Sequence, residues 1–284
     1  MKFGINTLLF TSKYTDEHVK NLSKKIKEWG FDGIEVALEK KGDIDYKKTL
    51  KTYKDNGLVC SSVGGLFGGD RDIRGPDKEK IEIGFNYIKD CLEACIGLEC
   101  DVLSGPIYSA AGRASFVSEN EKKVQWDTVV ENLGKACKWA EKYGIFIAIE
   151  ILNRFETDFL TTCKDAIRLI KDIGSKMLKI QLDTFHMNIE EKNSGIAILD
   201  AGNLLYLIHT SESDRWTPGT GQVHWKEVAD ALRRINYNKW AVIEAFTSED
   251  KVMAKAAKIW RQSENENAFI IAEKGVKFLK GILS

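Results

Sequence analysis

Four short apolar runs in the second half of this 284-residue chain each end on a side chain able to hold a metal ion or move a proton. They are Phe146-Ile-Ala-Ile-Glu150, Ile180-Gln-Leu-Asp183, Leu205-Tyr-Leu-Ile-His209 and Ala241-Val-Ile-Glu244. Any one of them alone reads as a helix cap or an ion-pair partner. Four in succession do not, because three carboxylates converging without a cation repel one another and burying unpaired charge is costly, so a divalent ion is the simplest compensation. Three carboxylates and one imidazole form an oxygen-rich set. Such a set suits Mn²⁺ first, then Co²⁺ or Mg²⁺, better than a structural zinc, which prefers thiolates and imidazoles. Arg215, shortly after the third of these runs, offers a further cation.

The elements that must position these groups follow from the pattern along the chain. Apolar or β-branched runs at Lys2–Asn6, Gly33–Ala37, Val59–Val63, Asp101–Ser104, Ile145–Glu150, Leu178–Asp183, Leu205–His209 and Ala241–Glu244 read as strands. Between them lie amphipathic stretches at Glu17–Trp29, Tyr46–Asn56, Glu79–Leu98, Val124–Tyr143, Cys163–Ile173 and Trp225–Ile235, with a closing one over Asn267–Leu283. Eight strand candidates in 284 residues give about 35 residues per unit, the spacing of a βα repeat, and eight such units close into a (β/α)8 barrel. The sixth unit is the weakest, since Ser194–Asp200 is short for a covering helix. No G-x-G-x-x-G follows the first strand, which disfavours an open doubly wound sheet. Nothing marks an internal boundary, so residues 1–284 read as a single barrel domain. In such a barrel the reactive groups sit at the carboxyl ends of the strands, where the four terminal side chains fall.

Charge and composition narrow the partners. The chain carries 42 Lys+Arg against 42 Asp+Glu, which gives no net pull toward nucleic acid or an anionic membrane. A small molecule is the expected partner. No apolar run approaches the roughly 20 residues of a membrane helix, and the amino terminus lacks a signal-peptide pattern. Six cysteines without CxxC spacing read as reduced and buried, which points to the cytoplasm. His18 reads as a solvated residue of the first helix and His224 as a loop or capping residue. Gly64-Gly65 and Gly68-Gly69 read as a flexible loop more than as a phosphate cradle, although Arg71 and Arg74 nearby keep a phosphorylated sugar in view.

Three stretches resemble the signatures of the ketose 3-epimerases, a group within the xylose isomerase-like TIM barrels. They are Ile149-Glu150-Ile-Leu-Asn-Arg-Phe-Glu156, Leu182-Asp-Thr-Phe-His186-Met-Asn-Ile-Glu-Glu191 and His209-Thr-Ser-Glu-Ser-Asp-Arg215-Trp-Thr-Pro-Gly-Thr-Gly221. The resemblance implies metal-dependent C3 epimerisation of free ketoses of the D-allulose/D-fructose, L-ribulose/L-xylulose or D-tagatose/D-sorbose type. It implies that Glu150, Asp183, His209 and Glu244 bind the ion and that Glu150 and Glu244 are also the acid/base pair. It places Glu156, His186 and Arg215 on the C1 to C3 end of the sugar, and it implies a homodimer or homotetramer. The chemistry agrees with the residues. Inverting a carbon next to a carbonyl needs a base on each face, and the fifth and eighth strands stand nearly across the barrel mouth from each other. On the side of the sugar tail the likeness thins. Asn6-Thr-Leu-Leu-Phe10 and Gly105-Pro-Ile-Tyr-Ser-Ala110-Ala-Gly112 replace the aromatic and tryptophan that members often carry, which predicts a smaller apolar wall and broad acceptance of ketoses.

The alternative on the same scaffold is an aldose–ketose isomerase, which usually needs a second metal cluster that the sequence does not offer. A multi-zinc DNA-repair nuclease lacks the ligands, with only four histidines and no basic excess. A barrel that binds sugar without turning it over would not need both glutamates.

Overall fold

A computed structural model describes residues 1–261 and 267–283. Its centre is a closed barrel of eight parallel strands in sequential order. The strands are β1 (Lys2–Asn6), β2 (Gly33–Leu38), β3 (Val59–Gly65), β4 (Val102–Gly105), β5 (Phe146–Glu150), β6 (Leu178–Asp183), β7 (Leu205–His209) and β8 (Trp240–Ile243). Around it run α1 (Asp16–Trp29), α2 (Tyr46–Asp55), α3 (Lys78–Gly97), α4 (Glu119–Glu141), α5 (Cys163–Ile173), α6 (Thr184–Glu190), α7 (Ser194–Ala201), α8 (Trp225–Arg234), α9 (Lys251–Ala256) and α10 (Ala268–Leu283).

The strands are apolar on both faces because helices cover the outside and neighbouring side chains fill the inside. Ile147, Ile149, Ile180 and Ile208 are fully buried, each contributing about 1.5–3 kcal/mol relative to exposure. The helices bury one stripe each: in α5 it is Cys163, Ala166, Leu169 and Ile170, spaced three and four apart. Their limits follow capping chemistry. α4 begins earlier than the apolar period indicates, because Ser118 and Glu121 form a reciprocal capping box ahead of it. α5 is opened by the same device between Thr162 and Asp165, and Gly174 ends it at φ 69°.

Strand register sets which side chains meet at the barrel mouth. Asn6 lies beside Glu35, Glu150 beside Gln181, and Asp183 beside His209. The ladder shifts register between Ile34 and Glu35 and again between Ile180 and Gln181. Irregularities of this kind re-aim side chains next to active sites, and here they flank two polar residues turned into the barrel.

Two expectations about local structure need correction. Gly64 and Gly65 are the last residues of β3, not a flexible loop. A Cβ on Gly105 would lie 2.6 Å from the Gly65 carbonyl oxygen, and Gly105 has φ 119°, so the end of β4 fits against the β3 backbone only because position 105 lacks a side chain. Glu244 lies one residue beyond β8, in the connection that follows it. The short sixth-unit segment does form a helix, α7, preceded by the still shorter α6. Among the described residues no helix is long and apolar enough to cross a membrane, and all six cysteines are free and buried.

Candidate active site

The four strand-end residues converge. Each of Glu150, Asp183, His209 and Glu244 offers one ligand atom, these atoms all lie within 4.8 Å of one another, and all four residues are buried. The His209 ring shows how the set faces inward: Nδ1 is 3.6 Å from Glu150 Oε1 and 3.5 Å from Glu244 Oε1. Asp183 divides its two oxygens between fold and site. Its Oδ1 accepts from the Phe185 backbone N–H at 2.7 Å, capping α6, while Oδ2 accepts from Arg215 Nη1 at 2.9 Å. Arg215 Nη1 also donates to Glu244 Oε2 at 2.7 Å, and its guanidinium lies over the Phe185 ring, 3.9 Å from its centroid.

The charges are unequal in their burden. Burial, opposed by the His209 contact and reinforced by Glu244 and Asp183, pushes Glu150 up to about 7. Burial likewise lifts Asp183 to about 6, against the pull of Arg215. Glu244 is as deeply placed, yet His209 and Arg215 outweigh burial and hold it down to about 2. His209 is raised well above the ordinary histidine range, because Glu35, Glu244 and Glu150 overcome a burial effect of the opposite sign. A pocket with three carboxylates, one inward imidazole nitrogen and a single arginine shared between two of the acids fits a divalent cation.

The three residues expected at the C1 to C3 end of a sugar border the same cluster. His186 Nε2 is 3.9 Å from Glu150 Oε1 and 3.2 Å from Arg215 Nη2, and Arg215 Nη2 is 4.0 Å from Glu156 Oε1. Burial and the nearby Arg215 push His186 well below its ordinary value, so it is neutral. The backbone of Arg215 sits at φ 67°, a left-handed conformation that costs a non-glycine residue about 1–3 kcal/mol and persists where the surroundings enforce it. Above the cluster a cavity of about 860 Å³ opens, lined on the far side by Leu8, Ala37, Leu66, Phe246 and Met253.

Of the two arginines that could serve a phosphate, Arg71 lines the cavity but is engaged by neighbours, and Arg74 does not line it. Arg71 donates to the Leu66 carbonyl oxygen and to Glu39, and Arg74 is buried against Asp158. His18 is more than a solvated residue, since its Nδ1 accepts from the Thr15 backbone N–H in the capping box of α1. His224 is at the start of α8 with an exposed side chain. Phe10 packs on Trp29 and Phe269 instead of facing the cavity.

Sequence reasoning missed a ring of polar residues behind the cluster: Asn6, Glu35, Ser62, Ser104, Asn153 and Gln181, all buried. A signal was available, since Glu35 and Gln181 interrupt strands that are otherwise apolar, but both were absorbed into their runs.

Comparison with known proteins agrees with this geometry. Residues 23–264 match the family model described as xylose isomerase-like TIM barrel, and the chain belongs to that family. It is 34% identical over 266 residues to a D-psicose 3-epimerase of Enterocloster bolteae, covering 92% of this chain and 87% of that protein. An L-ribulose 3-epimerase of Mesorhizobium japonicum is 30% identical, with 94% and 89% covered. A solved L-ribulose 3-epimerase structure superposes with a TM-score of 0.93 at 27% identity, over 99% of this chain and 94% of that one. The chain is an enzyme of the isomerase class to which these epimerases belong.

Proposed function

We propose that this chain inverts C3 of free ketoses, with residues 1–284 acting as one catalytic domain and with one divalent ion, Mn²⁺ ahead of Co²⁺ or Mg²⁺, held by Glu150, Asp183, His209 and Glu244. The observation that carries the reading is that two glutamates reach one point from either side of the barrel mouth: at the ends of the fifth and eighth strands of the closed barrel, Glu150 Oε1 and Glu244 Oε1 lie 3.6 and 3.5 Å from the same His209 Nδ1. Two carboxylates flanking one reacting carbon can serve as base and acid in turn. A bound divalent ion supplies Lewis acidity for the negative charge that develops on the substrate oxygens.

The residues of the chain do the rest. The ionised glutamate removes the C3 proton, the electron pair of that C–H bond becomes the C2–C3 double bond, and the π pair of the C2 carbonyl moves onto its oxygen, giving an enediolate whose carbonyl re-forms when C3 is reprotonated. The protonated glutamate then returns a proton to C3 from the opposite face, so the sugar leaves with C3 inverted and the pair with its proton exchanged. Reversal of the reaction swaps the roles, and the titration belongs to the pair. His186, Arg215 and Glu156 hold the oxygens at the C1 to C3 end, and the apolar wall of Leu8, Ala37, Leu66 and Phe246 supports loose recognition of the tail. The free, buried cysteines support a reducing compartment such as the cytoplasm.

The test is a D₂O incubation of the Mn²⁺-loaded enzyme with D-allulose, D-fructose, L-ribulose, L-xylulose, D-tagatose and D-sorbose, followed by NMR of the recovered sugars. Deuterium at C3 with the C3 epimer accumulating is expected. Label at C1 or C2 with an aldose product would assign an aldose–ketose isomerase instead.

A further inference from the structure

Glu35 is fully buried in the middle of β2, one strand from the barrel seam and outside the four-residue cluster. Every lone-pair direction of its carboxylate meets a donor. Oε1 accepts from Asn6 Nδ2 at 2.6 Å and from His209 Nε2 at 2.8 Å, while Oε2 accepts from Ser104 Oγ at 3.0 Å and closely from Ser62 Oγ. Asn6 also reaches Glu244 Oε1 at 3.4 Å, so the same amide braces a strand-end carboxylate.

These bonds settle the orientation of one ring. With Nε2 donating to Glu35, the other ring nitrogen of His209, Nδ1, is the one turned toward Glu150 and Glu244. Gln181 Nε2 is 3.1 and 3.3 Å from the two ring nitrogens, near-equal distances that lay the amide against the ring and in line with neither nitrogen, and Gln181 Oε1 is occupied by the Gly105 N–H at 3.1 Å. Glu35 therefore makes the in-plane bond, and Gln181 closes the ring from the side. The ladder shifts register beside both Glu35 and Gln181.

We propose that Glu35 is the positioning residue of His209: it holds the proton on Nε2 and so presents the Nδ1 lone pair to the ion. The inference rests on the reading that the cluster holds a divalent cation. A carboxylate behind a ligating imidazole fixes its tautomer and orientation, and loss of such a partner typically weakens metal binding about 10- to 100-fold.

The experiment measures binding, not turnover. Mn²⁺ titration calorimetry on wild type and Glu35→Gln is expected to show affinity lower by about 10- to 100-fold in the variant, with circular dichroism of the metal-free proteins superimposable. Wild-type affinity in a folded Glu35→Gln protein overturns the inference and leaves the metal reading standing. No Mn²⁺ binding to wild type overturns both. Should the variant not fold, wild type labelled with ¹⁵N-histidine and loaded with Mg²⁺ decides the matter, because the chain has only four histidines to assign. A two-bond ¹H–¹⁵N spectrum with the His209 proton on Nε2 supports the inference, and a proton on Nδ1 overturns it.

Discussion

His186 Nδ1 accepts a hydrogen bond from the backbone N–H of Asn153 at 3.1 Å, and this one contact decides what the other ring nitrogen does. A neutral imidazole has one acceptor and one donor. Nε2 must therefore carry the proton, and it faces Arg215 Nη2, a second donor, at 3.2 Å. Two donors side by side need an oxygen that accepts from both, and under the proposed reaction a ketose hydroxyl or carbonyl beside the pair would supply it.

Asn153 secures this arrangement with its side chain as well, placing Nδ2 2.8 Å from His186 Nδ1 and 2.9 Å from Glu156 Oε1. Asn153→Ala is expected to lower kcat/KM roughly tenfold, the equivalent of about 1–1.5 kcal/mol of lost hydrogen bonding, mainly through KM. Steady-state kinetics with an unchanged thermal midpoint would bear this out. A loss confined to kcat would place Asn153 elsewhere in the mechanism.

Glu150→Gln and Glu244→Gln test the two-base reading directly. Each is expected to cut C3 epimerisation by about 10²–10⁴, and each single variant should lose nearly as much as the double variant, because acid and base act as a unit. The check is the rate at which the C3 epimer appears, with deuterium entry at C3 followed beside it. Exchange without epimerisation in either variant would still accord with two bases, whereas full epimerisation in both would end the assignment.

Much of this site was legible from the chain because barrel topology converts a strand-terminal residue into a mouth residue. Glu150, Asp183 and His209 each close a strand, and Glu244 misses by one. The helices were legible wherever an apolar stripe repeats, as in α5, and less so where a polar device sets the start, as Ser118 and Glu121 do for α4. α6 escaped notice because a seven-residue helix has too few turns to show a period and is capped by Asp183, a residue with a second task. Glu35 and Gln181 showed only as polar interruptions of apolar runs, and their role was hidden for a different reason. Their burial is tolerable only because donors from other strands surround them, and strand register cannot be read from one strand at a time.

Metal affinity should depend on pH in a stated direction. Glu150 and Asp183 are raised to about 7 and about 6, and His209 well above its usual value, so near pH 6 the metal-free site holds protons that a cation must displace. A raised value means occupancy by a proton below it, so protons compete at low pH and affinity rises with pH. Glu150 alone would be ionised in about a tenth of molecules at pH 6 and about nine tenths at pH 8, roughly a tenfold gain. Mn²⁺ calorimetry at pH 6, 7 and 8 should show at least that gain, with net proton release seen as a dependence on buffer ionisation enthalpy. Affinity flat across this range would contradict the electrostatics described here.

Arg215 stands in the site as a permanent cation. Its Nη1 bonds both Asp183 Oδ2 and Glu244 Oε2, two of the acids expected to hold the ion. In the metal-free protein Arg215→Gln strips those buried carboxylates of the guanidinium they share, leaving Asp183 to the Phe185 N–H and Ser211 and Glu244 to Asn6 and His209, and breaking a buried pair of this kind costs about 3–5 kcal/mol. In the metal-bound protein the same change removes a positive charge from the neighbourhood of a second one, so repulsion falls. Both effects have the same sign for the difference between the two states. Arg215→Gln is therefore expected to melt earlier than wild type without metal, to bind Mn²⁺ at least about tenfold more tightly, equivalent to about 1.4 kcal/mol, and to regain most of its stability on loading. Its kcat/KM should nonetheless fall, since the guanidinium facing His186 is gone. Thermal melts with and without Mn²⁺, read beside calorimetry, separate these effects. Weaker metal binding in Arg215→Gln would mean that the arginine holds the acids in place for the ion more than it competes with it.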